Sequence, residues 1–376
     1  YDSAGLNRRK LQRLVKRKRR RKRGEQPDEK ATVGLYLETQ VKETMERFVN
    51  LPFGRPFRVQ PHIEVQLVPA GHLLGAAHVI LKVREGSETK SIGFSGDLGR
   101  KNYPLLVDPA PMPPVDYLVC ESTYGSRHHR DSGDPIDWLA DVIKRTCIDQ
   151  PGRLIVPAFS VGRTQALLYT LNRLYAERNF PEVNVFADSP LALKSTRVYE
   201  RHVRQLNPAA RAFHDDHDSV FDFESLHYVQ DMQKSRELSN YQEPSVLVSS
   251  SGMIRGGRIE QHIKVNLQNP YCTILMIGYA AENTVGGQLM RGAKSVRIGQ
   301  EELEVSANIE TTDIFSGHGD LEDLLDYIGQ QAPERLKGVF LTHGEYPASM
   351  QHFKGELHAR GYERVELPAK GESFEL

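Results

Sequence analysis

The sequence predicts an α/β protein, and three features of its patterning indicate that class. Short apolar runs of strand length recur along the chain, each bounded by Gly, Pro or Ser. Between them lie longer stretches in which apolar residues recur at intervals of three and four, the spacing of an amphipathic helix. The order is strand-rich first, clearly alternating in the middle and mixed at the end. The length of 376 residues predicts two or three domains, or one domain with another inserted in it.

The first predicted strand covers residues 62–68, where apolar and polar residues alternate at the period of a half-buried strand. Eight further apolar runs predict strands over residues 79–83, 92–94, 115–120, 154–156, 183–186, 246–248, 273–277 and 339–341. Helical spacing predicts helices over residues 164–178 and 321–328.

The cysteines and the hydropathy narrow the class of protein further. Cys120, Cys147 and Cys272 lie far apart and form no C-x-x-C pair, so neither a disulfide framework nor a thiolate zinc finger is supported. A reducing, cytoplasmic compartment is the expectation. No apolar run approaches the ~20 residues that span a bilayer, so we expect no membrane partner.

Charge is unevenly distributed along the chain. The 49 Lys and Arg residues balance the 49 Asp and Glu residues, but residues 1–24 hold 12 of the basic residues and one acidic residue, Asp2. Eight consecutive basic residues at 16–23 repel one another, and Gly24 and Pro27 follow them. We predict a solvated basic arm over residues 1–34, preceding a body that carries a net negative charge.

Residues able to bind a metal or transfer a proton follow directly after apolar runs. Five of them stand beside or near a glycine: His72, Asp97, Glu121, His318 and His343. The run before His318 is Ile314-Phe315, which we read as the end of a strand. Strand ends allow a rigid sheet to present side chains to one cleft. Imidazole and carboxylate together suit a borderline ion such as zinc, and a carboxylate can bridge two ions. A lone histidine after a strand is more often a hydrogen-bonded residue than a ligand, but five such residues together predict part of a dinuclear hydrolytic site.

Eight short motifs occur in a specific order. Five surround the residues just named: Gly71-His72-Leu73-Leu74-Gly75-Ala76-Ala77, Ser95-Gly96-Asp97-Leu98-Gly99, Glu121-Ser122-Thr123-Tyr124-Gly125, Phe315-Ser316-Gly317-His318 and Leu341-Thr342-His343-Gly344-Glu345. The others lie between them: Pro157-Ala158-Phe159-Ser160-Val161-Gly162-Arg163-Thr164-Gln165, Asp188-Ser189-Pro190-Leu191-Ala192, and Ser250-Ser251-Gly252-Met253 with Gly256-Gly257-Arg258. From about Leu35 to Leu376 the series resembles the β-CASP branch of the metallo-β-lactamase fold, which comprises RNA- and DNA-processing nucleases such as RNase J and the cleavage and polyadenylation endonuclease.

The resemblance implies an architecture. We expect an α+β lactamase-like domain, a four-layer αββα sandwich that is discontinuous in sequence, with an α/β β-CASP domain inserted in it. The lactamase-like domain would comprise residues 35–125 and 315–376, and the β-CASP domain residues 126–314. The cleft between the two domains would hold zinc and single-stranded RNA.

The resemblance also implies roles for the site residues. His72 and His343 match zinc ligands, and Asp97 matches the carboxylate that bridges two ions, with manganese left open in place of zinc. Glu121 and His318 match the acid/base pair, in which Glu121 orients His318 and His318 protonates the leaving 3′-oxygen. Asp97, Glu121 and His318 are therefore the expected catalytic set. Bound zinc lowers the pKa of water from 15.7 to about 7, and a positioned imidazolium contributes roughly 10² to 10⁴ in rate.

A second group of residues is predicted to contact RNA. Ser250, Ser251 and Gly252 follow a buried run and, by the resemblance, offer hydroxyl and backbone N–H groups to phosphate, with Arg258 from the same motif. The alternative is an ordinary turn between a strand and a helix. We read His262, four residues further on, as a surface histidine.

One motif of the branch is not in this sequence. The branch carries a His-x-His-x-Asp-His motif upstream of the position matching His72, where it supplies four metal ligands. The nearest similar segment, His214-Asp215-Asp216-His217-Asp218, has a different spacing and lies in what we read as a polar loop. Because the chain begins at Tyr1 rather than at Met, we expect the motif to precede it in the full-length protein. The alternative is a catalytically silent homologue that binds RNA or acts as a scaffold.

The function implied by the resemblance is metal-dependent hydrolysis of RNA. His343 favours RNA over DNA, because the DNA-repair members of the branch carry Val in that motif. The short segment after Phe374 leaves no room for the extra domain of RNase J, which favours endonucleolytic cleavage, with 5′-exonuclease action and a homodimer left open. The basic arm is either a tether for the RNA backbone, with steep salt dependence, or a solubilising arm. A small-molecule hydrolase such as a thioesterase would lack the inserted domain, so residues 152–258 argue against it.

Overall fold

The computed structural model describes residues 36–130 and 133–376, so the predicted basic arm lies outside the described residues. The chain divides into two units, Tyr1–Pro52 and Phe53–Leu376. In the first unit, the described residues form one helix, α1 (Glu38–Met45). The side chain of Gln40 accepts a hydrogen bond from the Leu37 N–H at 2.7 Å, which satisfies one of the free donors at the start of the helix.

The second unit contains a seven-stranded sheet with the order β1-β2-β3-β4-β5-β14-β15. Its strands are β1 (Phe57–Gln60), β2 (Ile63–Pro69), β3 (Ala77–Glu85), β4 (Glu88–Phe94), β5 (Tyr117–Glu121), β14 (Gly338–Thr342) and β15 (Val365–Glu366). The first four strands pair antiparallel, whereas β4, β5, β14 and β15 are parallel neighbours. The sheet is thus completed by a segment from the far end of the chain.

The same unit contains a six-stranded, wholly parallel sheet with the order β13-β10-β6-β9-β7-β8. Its strands are β6 (Arg153–Pro157), β7 (Asn184–Asp188), β8 (Leu226–Tyr228), β9 (Ser245–Ser249), β10 (Cys272–Ile277) and β13 (Asn308–Thr312). Parallel sheets are covered on both faces, so their central strands are apolar throughout, as the fully buried β6, β9 and β10 are. A separate antiparallel ribbon is formed by β11 (Ser295–Ile298) and β12 (Glu301–Glu304).

Nine helices accompany these sheets in the described part of the second unit. They are α2 (Pro135–Ile143), α3 (Arg163–Glu177), α4 (Pro190–Arg201), α5 (Pro208–His217), α6 (Met232–Ser239), α7 (Ile259–Asn266), α8 (Val285–Met290), α9 (Leu321–Gly329) and α10 (Ala348–Ala359). A π-helical segment, Lys144–Asp149, extends α2, and a 3₁₀ turn, Val203–Gln205, precedes α5. Over the residues that the structure describes, every helix is too short or too polar to cross a membrane.

Each sheet has its own hydrophobic core. In β6, Leu154 and Val156 pack into one core with α3, while Ile155 packs into another with α7, as the alternation of side chains along a strand requires. The seven-stranded sheet packs against α9 and α10 on one face. Two layers of the expected αββα sandwich are therefore seen, a sheet and its helices. The second sheet of that sandwich is not formed by the described residues.

The opposite face of the seven-stranded sheet carries partly exposed apolar side chains. They form rows across the paired strands: Val65, Leu67, Val79, Leu81, Ile92 and Phe94. The alternation predicted for residues 62–68 therefore separates a helix-covered face from a more accessible one. All nine predicted strands and both predicted helices are confirmed, with ends displaced by a few residues.

Two local predictions are wrong. Ile314 and Phe315 lie in a turn, and the strand before them is β13, which was not predicted because Ile309 is its only strongly apolar residue. The segment read as a polar loop around His214 is helical, because Asn207 caps α5 by accepting from the Ala210 N–H and Pro208 occupies its first turn.

Candidate metal centre

Three of the predicted site residues meet because β4, β5 and β14 are parallel neighbours. Asp97 follows β4, Glu121 ends β5 and His343 follows β14. The carboxyl ends of parallel strands lie at one edge of a sheet, so these side chains are neighbours although more than 200 residues separate His343 from the other two in sequence. The Nδ1 atom of His343 lies 3.1 Å from Oδ1 of Asp97 and 3.9 Å from Oε2 of Glu121.

The loop after β2 and the turn after β13 bring His72 and His318 to the same place. Backbone bridges join Gly71 to Leu98 and Gly99 to His318, so the Asp97 turn holds both segments. The rings of His72 and His318 have centroids 4.3 Å apart. A Cβ atom at Gly99 would overlap the backbone of Gly71, so glycine is required at this crossing.

His72 presents one defined nitrogen to the site. Its Nδ1 lies 3.0 Å from the carbonyl oxygen of Gly317, which can only accept, so Nδ1 carries the proton. The unprotonated Nε2 then faces Asp97, with 3.8 Å between Nε2 and Oδ2. Burial, followed by the nearby His318, lowers the pKa of His72. This is the neutral tautomer that a metal ligand needs, with the second nitrogen held by a backbone carbonyl.

Among the residues that the structure describes, two groups of side chains could hold a metal ion, and they share Asp97. One comprises His72, Asp97 and His318, and the other Asp97, Glu121 and His343; within each group the ligand atoms lie within 4.8 Å of one another. The hydrogen bond from His343 is the main cause that lowers the pKa of Asp97, and the same bond raises the pKa of His343. An ionised carboxylate between two groups of nitrogen and oxygen donors fits a bridging position for a divalent ion.

Glu121 is the most buried residue of the site and both of its oxygens are engaged. Oε1 accepts from the Leu98 N–H, and Oε2 lies 2.5 Å from the Thr123 hydroxyl. The Nδ1 atom of His318 lies 3.0 Å from Oε2. The carboxylate therefore fixes the orientation of the His318 ring and leaves Nε2 of that ring for chemistry.

His343 adopts a left-handed backbone conformation, with φ of +50°. Its side chain is more than half exposed, and its carbonyl oxygen lies 2.9 Å from the Thr123 hydroxyl, the group that also reaches Glu121. Non-glycine residues adopt this conformation infrequently, and such residues concentrate at functional sites. The strained turn places the imidazole beside Asp97.

His78 is a supporting residue that the sequence reasoning missed. It is fully buried in β3, and its Nδ1 lies 2.5 Å from the carbonyl oxygen of Ser95, two residues before Asp97. Ser95 in turn accepts from the Glu121 N–H through its hydroxyl at 2.9 Å. Among the described residues neither His78 Nε2 nor the Tyr327 hydroxyl has a polar partner, although the two rings are 4.8 Å apart. The sequence did offer a signal for His78, because a histidine at a position of β3 whose side chain points into the core is expected to be buried and hydrogen-bonded.

The residues predicted to contact RNA lie at the carboxyl edge of the six-stranded sheet. Ser250 Oγ lies 3.1 Å from Ser189 Oγ, and Ser251 Oγ accepts from the Arg255 N–H at 3.1 Å. Gly252 is buried in the same turn. Arg258 donates to Asp188 and to the carbonyls of residues 229 and 230, so its guanidinium is bound within the domain.

The expectation that His262 lies on the surface is wrong. His262 is fully buried, with its Nε2 2.6 Å from Oδ2 of Asp188 and its Nδ1 3.0 Å from the Ser239 hydroxyl. It lies on the face of α7 that packs toward the parallel sheet, as the neighbouring Ile259 and Ile263 do. Burial acts to raise the pKa of Asp188, but the bonds from His262, Ser235 and Arg258 outweigh burial and lower it.

The two sheets are linked beside the metal centre. Tyr279 follows β10 of the parallel sheet, and its hydroxyl donates to Oε1 of Glu345 at 3.2 Å. Glu345 belongs to the loop that carries His343, and its other oxygen accepts from Arg127 at 2.8 Å. The candidate metal centre therefore lies where the segments of both sheets meet.

Two family profiles match consecutive segments of the chain. The profile of the Beta-Casp domain matches residues 164–289, within the segment that forms the parallel sheet. The profile of the Zn-dependent metallo-hydrolase RNA specificity domain matches residues 302–368, the segment that carries His318 and His343. The latter family implies a divalent metal.

Several curated proteins are similar over most of the chain. Ribonuclease TTHA0252 of Thermus thermophilus is 30% identical over 333 residues, which cover 88% of this chain and 74% of that protein. An RNase J-like protein of Methanocaldococcus jannaschii is 28% identical over 82% of this chain and 70% of its own length. The transcription termination factor FttA of Pyrococcus horikoshii is 30% identical over 83% of this chain but only 48% of its own length, so the chain spans about half of that relative. The shared motifs, the two sheets and these similarities show that the chain belongs to the β-CASP family of metallo-β-lactamase-fold nucleases.

Proposed function

We propose that the protein is a metal-dependent ribonuclease that hydrolyses phosphodiester bonds of single-stranded RNA. The observation that carries the proposal is the convergence of His72, Asp97, Glu121, His318 and His343 on one edge of the seven-stranded sheet. The names of the ribonuclease and RNase J-like relatives and the match to an RNA specificity domain support RNA as the substrate. A silent scaffold would not need this set of donors, so catalysis is the favoured alternative.

The metal proposal rests on the donor set. His72, Asp97 and His343 would hold the ions, with Asp97 shared between two of them, and zinc is the ion that imidazole and carboxylate donors favour, with manganese as the alternative. Two ions are proposed for the complete site. A bound divalent ion lowers the pKa of water and stabilises charge on the phosphoryl oxygens.

In the proposed mechanism His318 supplies the proton, and Glu121 orients the His318 ring. Glu121 holds Nδ1 of His318 at 3.0 Å, so Nε2 is the atom that delivers a proton to the leaving 3′-oxygen. Thr123 and the Leu98 N–H hold Glu121 in turn. We propose Asp97, Glu121 and His318 as the residues on which the chemistry depends.

The proposed path of the RNA follows the carboxyl edge of the parallel sheet toward this centre, past the turn at 250–252. Ligands of open α/β sheets bind at that edge. We propose endonucleolytic cleavage in the cytoplasm, by a lactamase-like domain of residues 35–125 and 315–376 with residues 126–314 inserted. Action from the 5′ end is the alternative mode of cleavage, and a homodimer is the alternative oligomeric state.

The direct test compares full-length wild type with His318→Ala on RNA labelled at either end and on a circular RNA. We expect chelator to abolish cleavage, added zinc or manganese to restore it, and His318→Ala to lower kcat by roughly 10² to 10⁴. His358→Ala is the matched control, because His358 is an exposed residue at the end of α10 whose Nδ1 lies 2.9 Å from the carbonyl oxygen of Tyr362. Cleavage of the circular RNA would establish endonuclease action. If His318→Ala cleaves RNA as fast as wild type, His318 is not the general acid.

A further inference from the structure

Arg163 is a partly buried cation for which the described residues supply no polar partner. It is the first residue of α3, and its Cζ lies 5.0 Å from the centroid of the Phe159 ring. Across residues 36–130 and 133–376, no side chain or carbonyl forms a hydrogen bond or ion pair with its guanidinium. Burial lowers the pKa of Arg163, which reflects the same lack of a compensating anion.

Two other largely buried arginines have a structural role, because their guanidinium groups form hydrogen bonds within the domain. Arg153 donates to the Ser245 hydroxyl, to Asn266 and to the carbonyl of Leu238. Arg258 pairs with Asp188 and two carbonyls. Their donors are used inside the domain, whereas those of Arg163 are not. Withdrawing a guanidinium from water without new hydrogen bonds is unfavourable, so the arrangement indicates a site for a ligand.

The surroundings of Arg163 leave space for its guanidinium. Gly278, at the end of β10, has φ of +115°, and a Cβ atom there would come within 2.9 Å of Cζ of Arg163. The guanidinium thus lies between the face of Phe159 and a stretch of backbone without a side chain. Its planar fork is held in place from two sides before any ligand arrives.

Arg163 also lies next to the candidate metal centre. The preceding residue, Gly162, lies against Leu73, since a Cβ atom on Gly162 would be 2.5 Å from Cδ2 of Leu73. Leu73 directly follows His72. Among the groups that act electrostatically on Arg163 is Tyr124, whose ring centroid is 6.2 Å from that of His318. The guanidinium is therefore on the side of the parallel sheet that faces the proposed chemistry.

We propose that Arg163 binds one backbone phosphate of the RNA, a neighbour of the phosphate that is cleaved. The inference rests on the proposed ribonuclease function and adds a specific contact to it. An arginine fork matches two non-bridging oxygens of a phosphate, and one bound phosphate supplies the anion that the protein does not. The contact holds the strand in register and does not depend on the metal.

The first experiment measures binding without cleavage. Full-length wild type and Arg163→Gln are titrated, in EDTA, against a fluorescein-labelled single-stranded RNA of 12 nucleotides, and anisotropy gives Kd at several KCl concentrations. We expect Arg163→Gln to weaken binding roughly ten- to a hundredfold and to reduce the slope of log Kd against log[KCl] by about 0.7, the value for one phosphate contact on a single strand. Its melting temperature should be no lower than that of wild type, because removing a cation that lacks a polar partner among the described residues offsets the loss of its contact with the Phe159 ring.

Arg173→Gln is the matched control. It removes the same charge from the same helix, but Arg173 pairs with Glu177 at 2.7 Å and lies ten residues further along α3 than Arg163. We expect its Kd and salt slope to equal those of wild type. Equal losses in both variants would show a general effect of charge and would overturn the assignment of Arg163.

The second experiment locates the phosphate. RNAs carrying a single neutral methylphosphonate are compared position by position. Wild type should lose affinity at one position at which Arg163→Gln shows no further loss, while both respond alike elsewhere. If wild type binds and cleaves RNA and Arg163→Gln binds equally well, only this inference fails. If wild type binds no RNA, the proposed function fails and the inference with it.

Discussion

Asp97 is the residue on which the metal proposal depends most. It is half-exposed, it is the member common to both groups of ligand atoms, and its pKa is lowered chiefly by the bond from His343. A carboxylate that is ionised, accessible and surrounded by imidazoles is arranged for a cation and is poorly explained by packing.

Replacing Asp97 by Asn therefore tests the centre. We expect Asp97→Asn to lower the affinity for zinc by more than the ~10- to 100-fold typical of residues that only support a ligand. The change is measured by competition with a chromophoric chelator and by metal analysis of the full-length protein. Asp326→Asn, which alters an exposed carboxylate paired with Lys101, is the control and should keep its metal. Equal metal content in the two variants would contradict a bridging role.

Gly99 is a second residue with a sharp consequence, because its missing side chain allows the His72 and His318 segments to cross. In Gly99→Ala the new methyl group meets the backbone of Gly71, which cannot rotate away as a side chain would. We expect a loss of about 1–3 kcal/mol in the free energy of unfolding, together with weaker metal binding.

Gly355→Ala provides the comparison for that substitution. Gly355 is exposed within α10 and has open space around it, so alanine should stabilise the protein by about 0.5–1 kcal/mol. Both variants are measured by chemical denaturation. Similar effects of the two alanines would show that the crossing at Gly99 is not tight.

Among the secondary-structure elements, β7, α6 and α7 are joined by one buried carboxylate. Asp188 ends β7, Ser235 lies in α6, and His262 in α7; the hydroxyl of Ser235 donates to Oδ2 of Asp188 at 2.5 Å. Asp188 also accepts from Arg258, and its carbonyl accepts from the Ser249 hydroxyl at 3.0 Å. The network therefore positions the start of the 250–252 turn, which makes these residues positioning residues for the proposed RNA contacts.

Asp188→Asn should destabilise the parallel-sheet domain by about 3–5 kcal/mol, because it leaves the Arg258 cation without its anion in the interior. Denaturation followed by the fluorescence of Trp138, the one tryptophan of the chain, measures the effect. The lowered pKa of Asp188 means that its contribution is complete above the ordinary value of 3.8 and is lost as pH falls below it. The difference in the free energy of unfolding between wild type and Asp188→Asn should therefore become smaller below pH 3.8. Asp216→Asn, on the exposed side of α5, is the control, and its free energy of unfolding should stay within about 0.5 kcal/mol of the wild-type value.

The sequence was most informative where local pattern and tertiary environment agree. Apolar runs such as 246–248 and 273–277 predicted strands because central parallel strands are buried on both faces. The edge strand β13 was missed, since Asn308, Glu310 and Thr311 face less of the core and break the pattern. An ordered set of motifs predicted the five site residues, but His262 was read as exposed although Ile259 and Ile263 lie on the same helix face.

At the scale of the whole molecule, the site depends on contacts that sequence spacing cannot show. The link from Tyr279 through Glu345 to Arg127 joins the parallel sheet to the loop of His343. Glu345 belongs to one of the sequence motifs, but nothing in the sequence predicts its contacts with Tyr279 and Arg127. Arg163 was visible only as part of a motif. Its lack of a polar partner among the described residues is a property of the folded chain, so it can be seen only once the positions of the neighbouring groups are known.

The pairing of β5 with β14 also determines when the site can exist. Residues 122–337 lie between these strands. The ribosome must therefore synthesise the whole parallel-sheet domain before β14 can pair with β5 beside Asp97 and Glu121. At a synthesis rate of about 5–20 residues per second, that interval is about 10–40 s. A nascent chain therefore carries Asp97 and Glu121 without His343 during this interval, and the candidate metal centre can form only after β14 has been made.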